Sequence, residues 1–220
     1  MSIPLAERLR PQTIDEYIGQ THLVGANGVF RKFLETGHVP SFILWGPPGV
    51  GKTTLAKLVA NHLKRPFYTL SAVTSGVKDV REVIESARKQ SLFQQSTAFL
   101  FIDEIHRFNK SQQDSLLGAV EQGIVVLIGA TTENPSFEVI SPLLSRCQVY
   151  ILKSMNDEEL STLLTRAITV DEKLKARNIK VEQTAALFKF SGGDARKLLN
   201  ILDIIAGATD GDITITDEYV

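Results

Sequence analysis

The chain has 220 residues, of which 43% are hydrophobic and 22% are charged, and its formal net charge is −1. These values are typical of a globular protein, and the near-neutral charge excludes a protein that attracts nucleic acid through bulk positive charge. The single cysteine, Cys147, excludes an intrachain disulfide and suits a reducing compartment. Because the sequence shows neither a membrane-spanning apolar stretch nor the layout of a signal peptide, we predict a cytoplasmic location.

Short apolar runs alternate with amphipathic stretches up to Lys153. The runs predict strands at 42–45, 67–70, 98–102, 125–128 and 149–152. The stretches predict helices at 53–63, 80–89, 112–121 and 141–144. Apolar strands that alternate with helices are typical of a parallel sheet with helices on both faces, so we predict an α/β fold.

After Lys153 the pattern changes to helical spacing only, at residues 156–168, 182–190 and 194–205. We therefore predict two domains, an α/β domain over residues 1–153 and a small all-helical lid over residues 154–220. Residues 213–220 have the pattern of the start of another element, so we expect a truncated chain.

A phosphate-loop motif follows the first predicted strand. The segment from Gly46 to Thr53 fits the pattern G-x-x-x-x-G-K-[ST], and a predicted helix comes directly after it. In that setting backbone N–H groups and the helix dipole hold phosphate, Lys52 reaches the outer phosphates and Thr53 ligates Mg²⁺. The residues expected to bind ATP are Gly46, Pro47, Pro48, Gly49, Val50, Gly51, Lys52, Thr53 and Thr54.

Polar residues follow two further predicted strands. Asp103 is expected to bind the magnesium, and Glu104 to orient and polarise the water that attacks the γ-phosphate. Alone, such a pair is more often a solvated strand end. Thr132, with Thr131 or Asn134 as alternatives, is expected to sense the γ-phosphate or hold that water, although Asn-Pro also favours a capped turn.

Two arginines are candidates for contacts with phosphate. Arg146, within Ser-Arg-Cys, is either an arginine finger that reaches a neighbour's nucleotide or a surface arginine near a helix end. Arg196 follows Gly192-Gly193-Asp194-Ala195 and either reaches back to the nucleotide or is solvated.

Taken in this order, the motifs resemble those of the AAA+ ATPases, and Ser-Arg-Cys resembles the clamp-loader branch. Segments 43–49, 101–114 and 128–137 are similar to the replication-associated recombination protein A family, bacterial relatives of the Werner-helicase-interacting ATPase. The resemblance covers the whole chain. It implies a homo-oligomer assembled through a C-terminal region that we expect to be absent here. It also implies that Tyr17 and Ile18 border the adenine. Ser71 stands where relatives often carry an asparagine that switches the catalytic glutamate, and its shorter side chain puts that switch in doubt.

The resemblance further implies DNA, either single-stranded, gapped or forked, a nucleoid location, and partners such as single-strand-binding protein. Lys78, Arg81 and Lys110 lie at two predicted helix starts and are candidate phosphate contacts, with ordinary solvated charges as the alternative. His106 either couples the site to DNA or to a neighbouring subunit, or is a satisfied polar residue.

The sequence thus predicts a DNA-dependent, magnesium-dependent AAA+ ATPase of replication-fork maintenance and recombination or repair, with ATP held between subunits. The alternative is a clamp-loader or Holliday-junction branch-migration motor subunit. A protein unfoldase is disfavoured because residues 71–80 contain no aromatic side chain. A catalytically dead subunit is disfavoured because the expected catalytic residues are all present, and a small-molecule kinase would share only the phosphate loop.

Overall fold

The computed structural model describes residues 3–94, 96–208 and 211–218. The strands are β1 (Phe42–Trp45), β2 (Phe67–Ser71), β3 (Ala98–Asp103), β4 (Val125–Thr131), β5 (Gln148–Ile151), β6 (Ile179–Val181) and β7 (Ile213–Ile215). The α-helices are α1 (Leu5–Arg8), α2 (Thr21–Val24), α3 (Val29–Thr36), α4 (Lys52–His62), α5 (Val77–Gln94), α6 (Lys110–Glu121), α7 (Pro135–Glu138), α8 (Ser141–Leu144), α9 (Asp157–Val170), α10 (Glu172–Lys175), α11 (Ala185–Ser191) and α12 (Ala195–Ala208). Single 3₁₀ turns lie at Ile14–Glu16 and Ile105–Arg107.

The described residues group into two compact units. The sheet unit consists of Gln20–Gly46 and Lys52–Leu152. The second unit, called the C-terminal unit here, contains the chain up to Gly19, the loop Pro47–Gly51, and the chain from Lys153 onward. The assignment of residues 1–153 and 154–220 to two functional domains stays a prediction.

The sheet unit is built on five parallel strands in the order β2-β3-β4-β1-β5. All five predicted strands are present, and the parallel α/β class is confirmed. The central strands β1, β3 and β4 are almost wholly buried, as their apolar sequences require, because helices cover both faces of a parallel sheet. One face packs against α5, α6 and α8 through side chains such as Leu100, Leu116 and Leu143, which are fully buried. Phe30 and Phe33 of α3 pack against Phe42 of β1, where the Phe30 ring meets Phe42 edge-on and the Phe33 ring stacks on it.

The C-terminal unit has its own core, formed by α1, α9, α11 and α12. Leu5, Leu160, Leu187 and Leu202 are buried together there. Asn156 caps α9, because its side chain accepts the N–H of Glu159 while the Glu159 side chain accepts the N–H of Asn156.

The prediction that residues after 153 form helices only is wrong. Strands β6 and β7 form a two-stranded parallel sheet, and the helix expected at 182–190 begins only at Ala185. The sequence Ile213-Thr-Ile215 alternates buried, exposed, buried, which is strand periodicity. Three residues are too few for that alternation to be distinguished from a loop before the pairing partner is known. Among the described residues, no helix is long and apolar enough to cross a membrane.

Candidate active site

Three predicted site residues of the sheet unit, Asp103, Glu104 and Thr132, lie at or directly after the carboxyl ends of strands β3 and β4. In the parallel register Ser71 pairs with Asp103, and Trp45 pairs with Thr131. Because parallel strands all end at the same edge, this register brings Asp103, Glu104 and Thr132 to the edge where β1 leads into Gly46.

The phosphate-loop lysine is held at this edge. Lys52 is the first residue of α4 and is only 8% exposed, and its Nζ donates a 2.7 Å hydrogen bond to the carbonyl of Gly46. A buried ammonium requires such partners. A side chain at position 46 would collide with the carbonyl of Leu152, so only glycine fits there. Thr53 and Thr54 follow in the first turn of α4 and are both half-buried.

Glu104 turns the chain at the end of β3. Its backbone is left-handed (φ 54°, ψ 46°), an unusual conformation for glutamate. The next residue, Ile105, is fully buried, and the N–H of Arg107 donates to the carbonyl of Glu104. These contacts fix the turn, so the carboxylate projects from a rigid position with 30% of its side chain exposed.

Three residues around Glu104 form a polar cluster with it. The Thr132 hydroxyl donates to Glu104 Oε2 at 3.3 Å, and His106 Nδ1 lies 3.3 Å from the same oxygen. His106 Nδ1 also lies 3.0 Å from Oγ1 of Thr131, which is fully buried. Among the described residues no side-chain contact joins Ser71 to Glu104, so the doubt about a switch at Ser71 stands.

The three candidates for the sensing residue have different surroundings. Thr132 contacts Glu104, whereas Thr131 is enclosed and bonded to the backbone of Glu133. Asn134 uses its side-chain oxygen to accept the N–H of Ser136 and caps α7. The geometry therefore favours Thr132. Sequence reasoning left the role of His106 open, because the spacing Asp-Glu-x-His alone does not say which groups a histidine meets.

The loop Pro47–Gly51 belongs to the C-terminal unit and is held there from one side by Tyr17. The Tyr17 hydroxyl donates to the carbonyl of Val50 at 3.1 Å, and burial raises the pKa of Tyr17 well above its usual range. Tyr17 thus contacts the loop itself, and Ile18 is half-buried against the core of the C-terminal unit. Their contact with adenine stays a prediction. Pro47 and Pro48 are exposed, and Val50 is buried.

Two loop glycines have positive φ and close neighbours. At Gly49 (φ 71°) an added Cβ would collide with the carboxylate of Asp194, and at Gly51 (φ 97°) it would collide with the Tyr17 hydroxyl. Glycine is therefore required for conformation and for space. Asp194 Oδ1 accepts the N–H of Lys197. The side chain of Arg196, at the start of α12, is exposed.

Arg146 lies at the opposite edge of the sheet, because it precedes β5 whereas Glu104 follows β3. Seven residues of β4 span about 20 Å, which separates the two edges. Arg146 Nη2 lies 2.5 Å from Glu121 Oε1, and Nη1 donates to the carbonyl of Pro142 at 2.7 Å. A cavity of about 520 Å³ adjoins this pair, lined by Ser41, Val120, Glu121, Gly123, Val125, Val126 and Arg146. Arg146 therefore cannot reach Glu104 of its own sheet unit.

The three candidate DNA contacts lie at two neighbouring helix starts. Lys78 and Arg81 are exposed at the start of α5, and Lys110 is exposed at the start of α6. Gln112 joins the two starts, because its side-chain amide donates to the carbonyl of Ser75 at 2.8 Å. Lys78 is 3.7 Å from Glu82 in an exposed ion pair.

Comparison with known proteins identifies a family and several relatives. Residues 42–155 match the model of the ATPase family associated with various cellular activities (AAA). Replication-associated recombination protein A of Escherichia coli is 46% identical over 214 residues, which cover 95% of this chain and 47% of that protein. ATPase WRNIP1 of Dictyostelium discoideum is 46% identical over 213 residues, covering 96% of this chain and 24% of that protein. The chain thus spans about half the length of the bacterial relative.

Among solved structures, the chain is similar to the Thermotoga maritima RuvB Holliday junction branch migration motor. The TM-score is 0.73 at 28% sequence identity, covering 96% of this chain and 70% of that one. These findings confirm the resemblance on which the sequence prediction depended.

Proposed function

The chain belongs to the AAA ATPase family, and on that premise we propose that it binds ATP with Mg²⁺ and hydrolyses it at subunit interfaces. The oligomer acts on single-stranded, gapped or forked DNA in replication-fork maintenance, recombination and repair. The observation that carries the proposal is the geometry of Glu104, a rigidly placed carboxylate with one oxygen held by Thr132 and the other without a hydrogen-bond partner among the described residues.

The residues present fit a magnesium nucleotide. Thr53 offers a hydroxyl and Asp103 a carboxylate, the oxygen ligands that Mg²⁺ prefers. No side chain fits at Gly46, Gly49 or Gly51, and in a phosphate loop the backbone N–H groups between such glycines hold the phosphate. Mg²⁺, when bound, neutralises charge that develops on the phosphates.

The chain's own residues then divide the work. Lys52 exchanges the carbonyl of Gly46 for the outer phosphates, because a phosphate is the stronger acceptor for an ammonium. Glu104 Oε1 accepts a hydrogen bond from water and orients it for attack, while Thr132 keeps Oε2 in place. Arg146 serves the site of a neighbouring subunit, where its fixed charge stabilises the transferring phosphoryl group. Arg196 contacts the nucleotide from α12.

DNA as the partner is supported by the similarity to replication-associated recombination protein A and by the exposed basic side chains at the starts of α5 and α6. Lys78, Arg81 and Lys110 contact backbone phosphates, which gives little sequence preference and strong salt dependence. A nucleoid location in the cytoplasm and an interaction with single-strand-binding protein belong to the same proposal.

A branch-migration motor is the second candidate, because the RuvB structure shares the fold over 96% of the chain. Its identity of 28% is well below the 46% found for replication-associated recombination protein A. The higher identity favours the proposed ATPase of replication-fork maintenance and recombination over a branch-migration motor. A clamp-loader subunit would share the same site.

The test is steady-state ATP hydrolysis with Mg²⁺, measured without DNA and with single-stranded, gapped or forked DNA. Glu104→Gln serves as the blank, and it is expected to bind nucleotide while its turnover falls by roughly 10²- to 10⁴-fold. DNA that raises wild-type turnover supports the proposal. Turnover that survives in Glu104→Gln, or that is insensitive to every DNA, contradicts it.

A further inference from the structure

We propose that His106 is a positioning residue for hydrolysis, which donates a hydrogen bond from Nδ1 to Glu104 and ties that carboxylate to Thr131 at the end of β4. The inference rests on the proposed function, since it assigns a role within the same site. It concerns how the Glu104 carboxylate is held in place.

The position of His106 is fixed by its neighbours. The 3₁₀ turn that carries it is anchored on both sides, because Ile105 is fully buried and Phe108 is 3% exposed. The His106 side chain itself is only 12% exposed. A largely buried imidazole on a rigid backbone can hold a neighbouring group at a defined distance, which a mobile surface histidine cannot do.

The hydrogen bonds around Thr131 identify the direction of donation. Thr131 has one hydroxyl hydrogen, and the carbonyl of Glu133 lies 3.1 Å from Oγ1 in position to accept it. The same Oγ1 accepts the N–H of Glu133 at 3.0 Å. Toward His106, at 3.0 Å, Oγ1 therefore acts as an acceptor, which requires a hydrogen on Nδ1.

The contact with the Glu104 carboxylate independently indicates a hydrogen on Nδ1 of His106. Glu104 Oε2 lies 3.3 Å from Nδ1, and a bare nitrogen lone pair at that distance would face a negative oxygen. An Nδ1–H shared between Thr131 and Glu104 satisfies both acceptors. Oε2 then receives donors from His106 and Thr132, and Oε1 is the oxygen left for water.

This arrangement connects Glu104 to the end of β4, which is directly followed by Thr132, the candidate sensing residue. Thr131 accepts from His106, and the next residue, Thr132, donates to Oε2, so a shift at the end of β4 acts on the carboxylate both directly and through His106. Removal of the His106 donor leaves only Thr132 to orient the carboxylate. We expect turnover to fall by roughly 10- to 100-fold, the effect of one hydrogen bond to a charged group. Nucleotide affinity stays unchanged, since His106 does not contact the phosphate loop's Lys52.

Substitutions at His106 distinguish the effect of a hydrogen-bond donor at Nδ1 from the effect of side-chain packing. In His106→Asn the amide nitrogen is as many bonds from Cβ as Nδ1 is, so turnover is expected to stay within about threefold of wild type. His106→Gln places its nitrogen at the position of Nε2, and His106→Phe keeps the ring without a donor. Both are expected to lose turnover with ADP affinity unchanged in calorimetry. His62→Phe, at an exposed helix end, is the matched control.

A second readout does not depend on hydrolysis. Long-range ¹H–¹⁵N spectra of histidine-labelled chain report the tautomer of each of the 4 histidines, and His106→Phe assigns the signal. At about pH 8.5, where an ordinary histidine is neutral, we expect the Nδ1–H tautomer for His106. Glu104→Ala should shift it toward the usual Nε2–H form.

The two readouts distinguish the inference from the function on which it rests. An Nδ1–H tautomer with no ATP turnover in wild type would overturn the proposed function and leave the hydrogen bond standing. An Nε2–H tautomer in wild type, or full turnover in His106→Phe, overturns the inference whatever the rate of hydrolysis.

Discussion

Gly49 shows how a single residue is dictated by two independent constraints. Its φ of 71° is unfavourable for any side chain, and a Cβ there would collide with Asp194. The sequence motif identifies the fixed positions 46, 51, 52 and 53 only. The requirement for glycine at position 49 comes from Asp194, about 145 residues later in the chain, which no local pattern reveals.

We therefore predict that Gly49→Ala weakens nucleotide binding and stability together. The left-handed backbone alone costs about 1–2 kcal/mol for alanine, and the collision with Asp194 displaces the loop further. Calorimetric titration with ADP should show at least a roughly tenfold loss of affinity, a change of about 1.4 kcal/mol.

Gly207→Ala is the matched control for this prediction. Gly207 lies in α12 with open space around it, so alanine there is expected to raise stability by up to about 1 kcal/mol. Unchanged ADP affinity in Gly49→Ala would show that the loop adapts, and would contradict the role given to this glycine.

At the scale of elements, helix α8 and strand β5 place Arg146 at the sheet edge away from Glu104. The neighbouring Cys147 is buried, which raises the pKa of its thiol to about 12 and leaves it no role as a nucleophile. The ion pair between Arg146 and Glu121 is partly exposed on both sides, with side-chain exposures of 40% and 44%. Such pairs contribute little to stability.

Arg146 is thus predicted to matter for turnover and not for folding. Arg146→Ala should change the free energy of unfolding by less than about 1 kcal/mol. It should lower ATP turnover by roughly 10³-fold or more, as expected for an arginine finger. Glu121→Gln, which removes only the partner, should leave stability equally unchanged. A large loss of stability in Arg146→Ala, seen in urea unfolding, would point to a structural role.

A different ion pair holds the elements of the C-terminal unit together. Arg8 of α1 lies 2.6 Å from Asp171, whose side chain is 4% exposed, and Arg8 also reaches Asp203 of α12 at 3.4 Å. The hydrogen bond from Arg8 lowers the pKa of the Asp171 carboxyl below its usual range. Removal of one partner of a buried pair is costly, because the other charge is left without compensation.

We predict that Arg8→Met lowers the free energy of unfolding by about 3 kcal/mol near neutral pH. Because the folded-state pKa of Asp171 is lowered, its contribution is present above about pH 4 and is lost as the pH falls through the folded pKa. The difference between wild type and variant should therefore shrink in acid. Urea unfolding at several pH values measures this.

Arg10→Met provides the comparison, since Arg10 pairs with the half-exposed Glu7 three residues away. Its effect on stability is expected to be below about 1 kcal/mol at every pH. A difference for Arg8→Met that does not change with pH would contradict the assignment to Asp171.

The elements also show how far sequence reasoning reaches. All five strands of the main sheet were predictable. Strands β1, β3 and β4 are buried and apolar along their length, whereas the more exposed β2 and β5 are short runs rich in aromatic and β-branched residues. Helix α5 runs over Val77–Gln94, longer than the predicted 80–89, because apolar periodicity locates a helix more reliably than it locates its ends. Strands β6 and β7 were missed because each is three residues long and depends on a distant partner.

The candidate site was predictable only in part, for the same reason. The phosphate loop, Asp103 and Glu104 are contiguous motifs. The contacts of His106 with Thr131 and Glu104 depend on how the ends of β3 and β4 meet, and the spacing of residues does not carry that information.

At the scale of the whole molecule, the proposed function requires more than one chain. Glu104 and Lys52 lie at one edge of the sheet, whereas Arg146 lies at the other, so we propose that Arg146 of a second copy completes the site. We therefore expect this chain to bind ATP well and to hydrolyse it slowly at low protein concentration.

The most direct test of the shared site is ATP turnover in an equal mixture of Arg146→Ala and Glu104→Gln chains over a series of protein concentrations. Each variant alone is expected to be nearly inactive. In the mixture, an interface that joins Glu104 of one chain to Arg146 of the other is complete. The account predicts that turnover in the mixture exceeds the sum of the two variants and rises with protein concentration. A mixture no more active than that sum, together with wild-type turnover per chain that is independent of concentration, would contradict it.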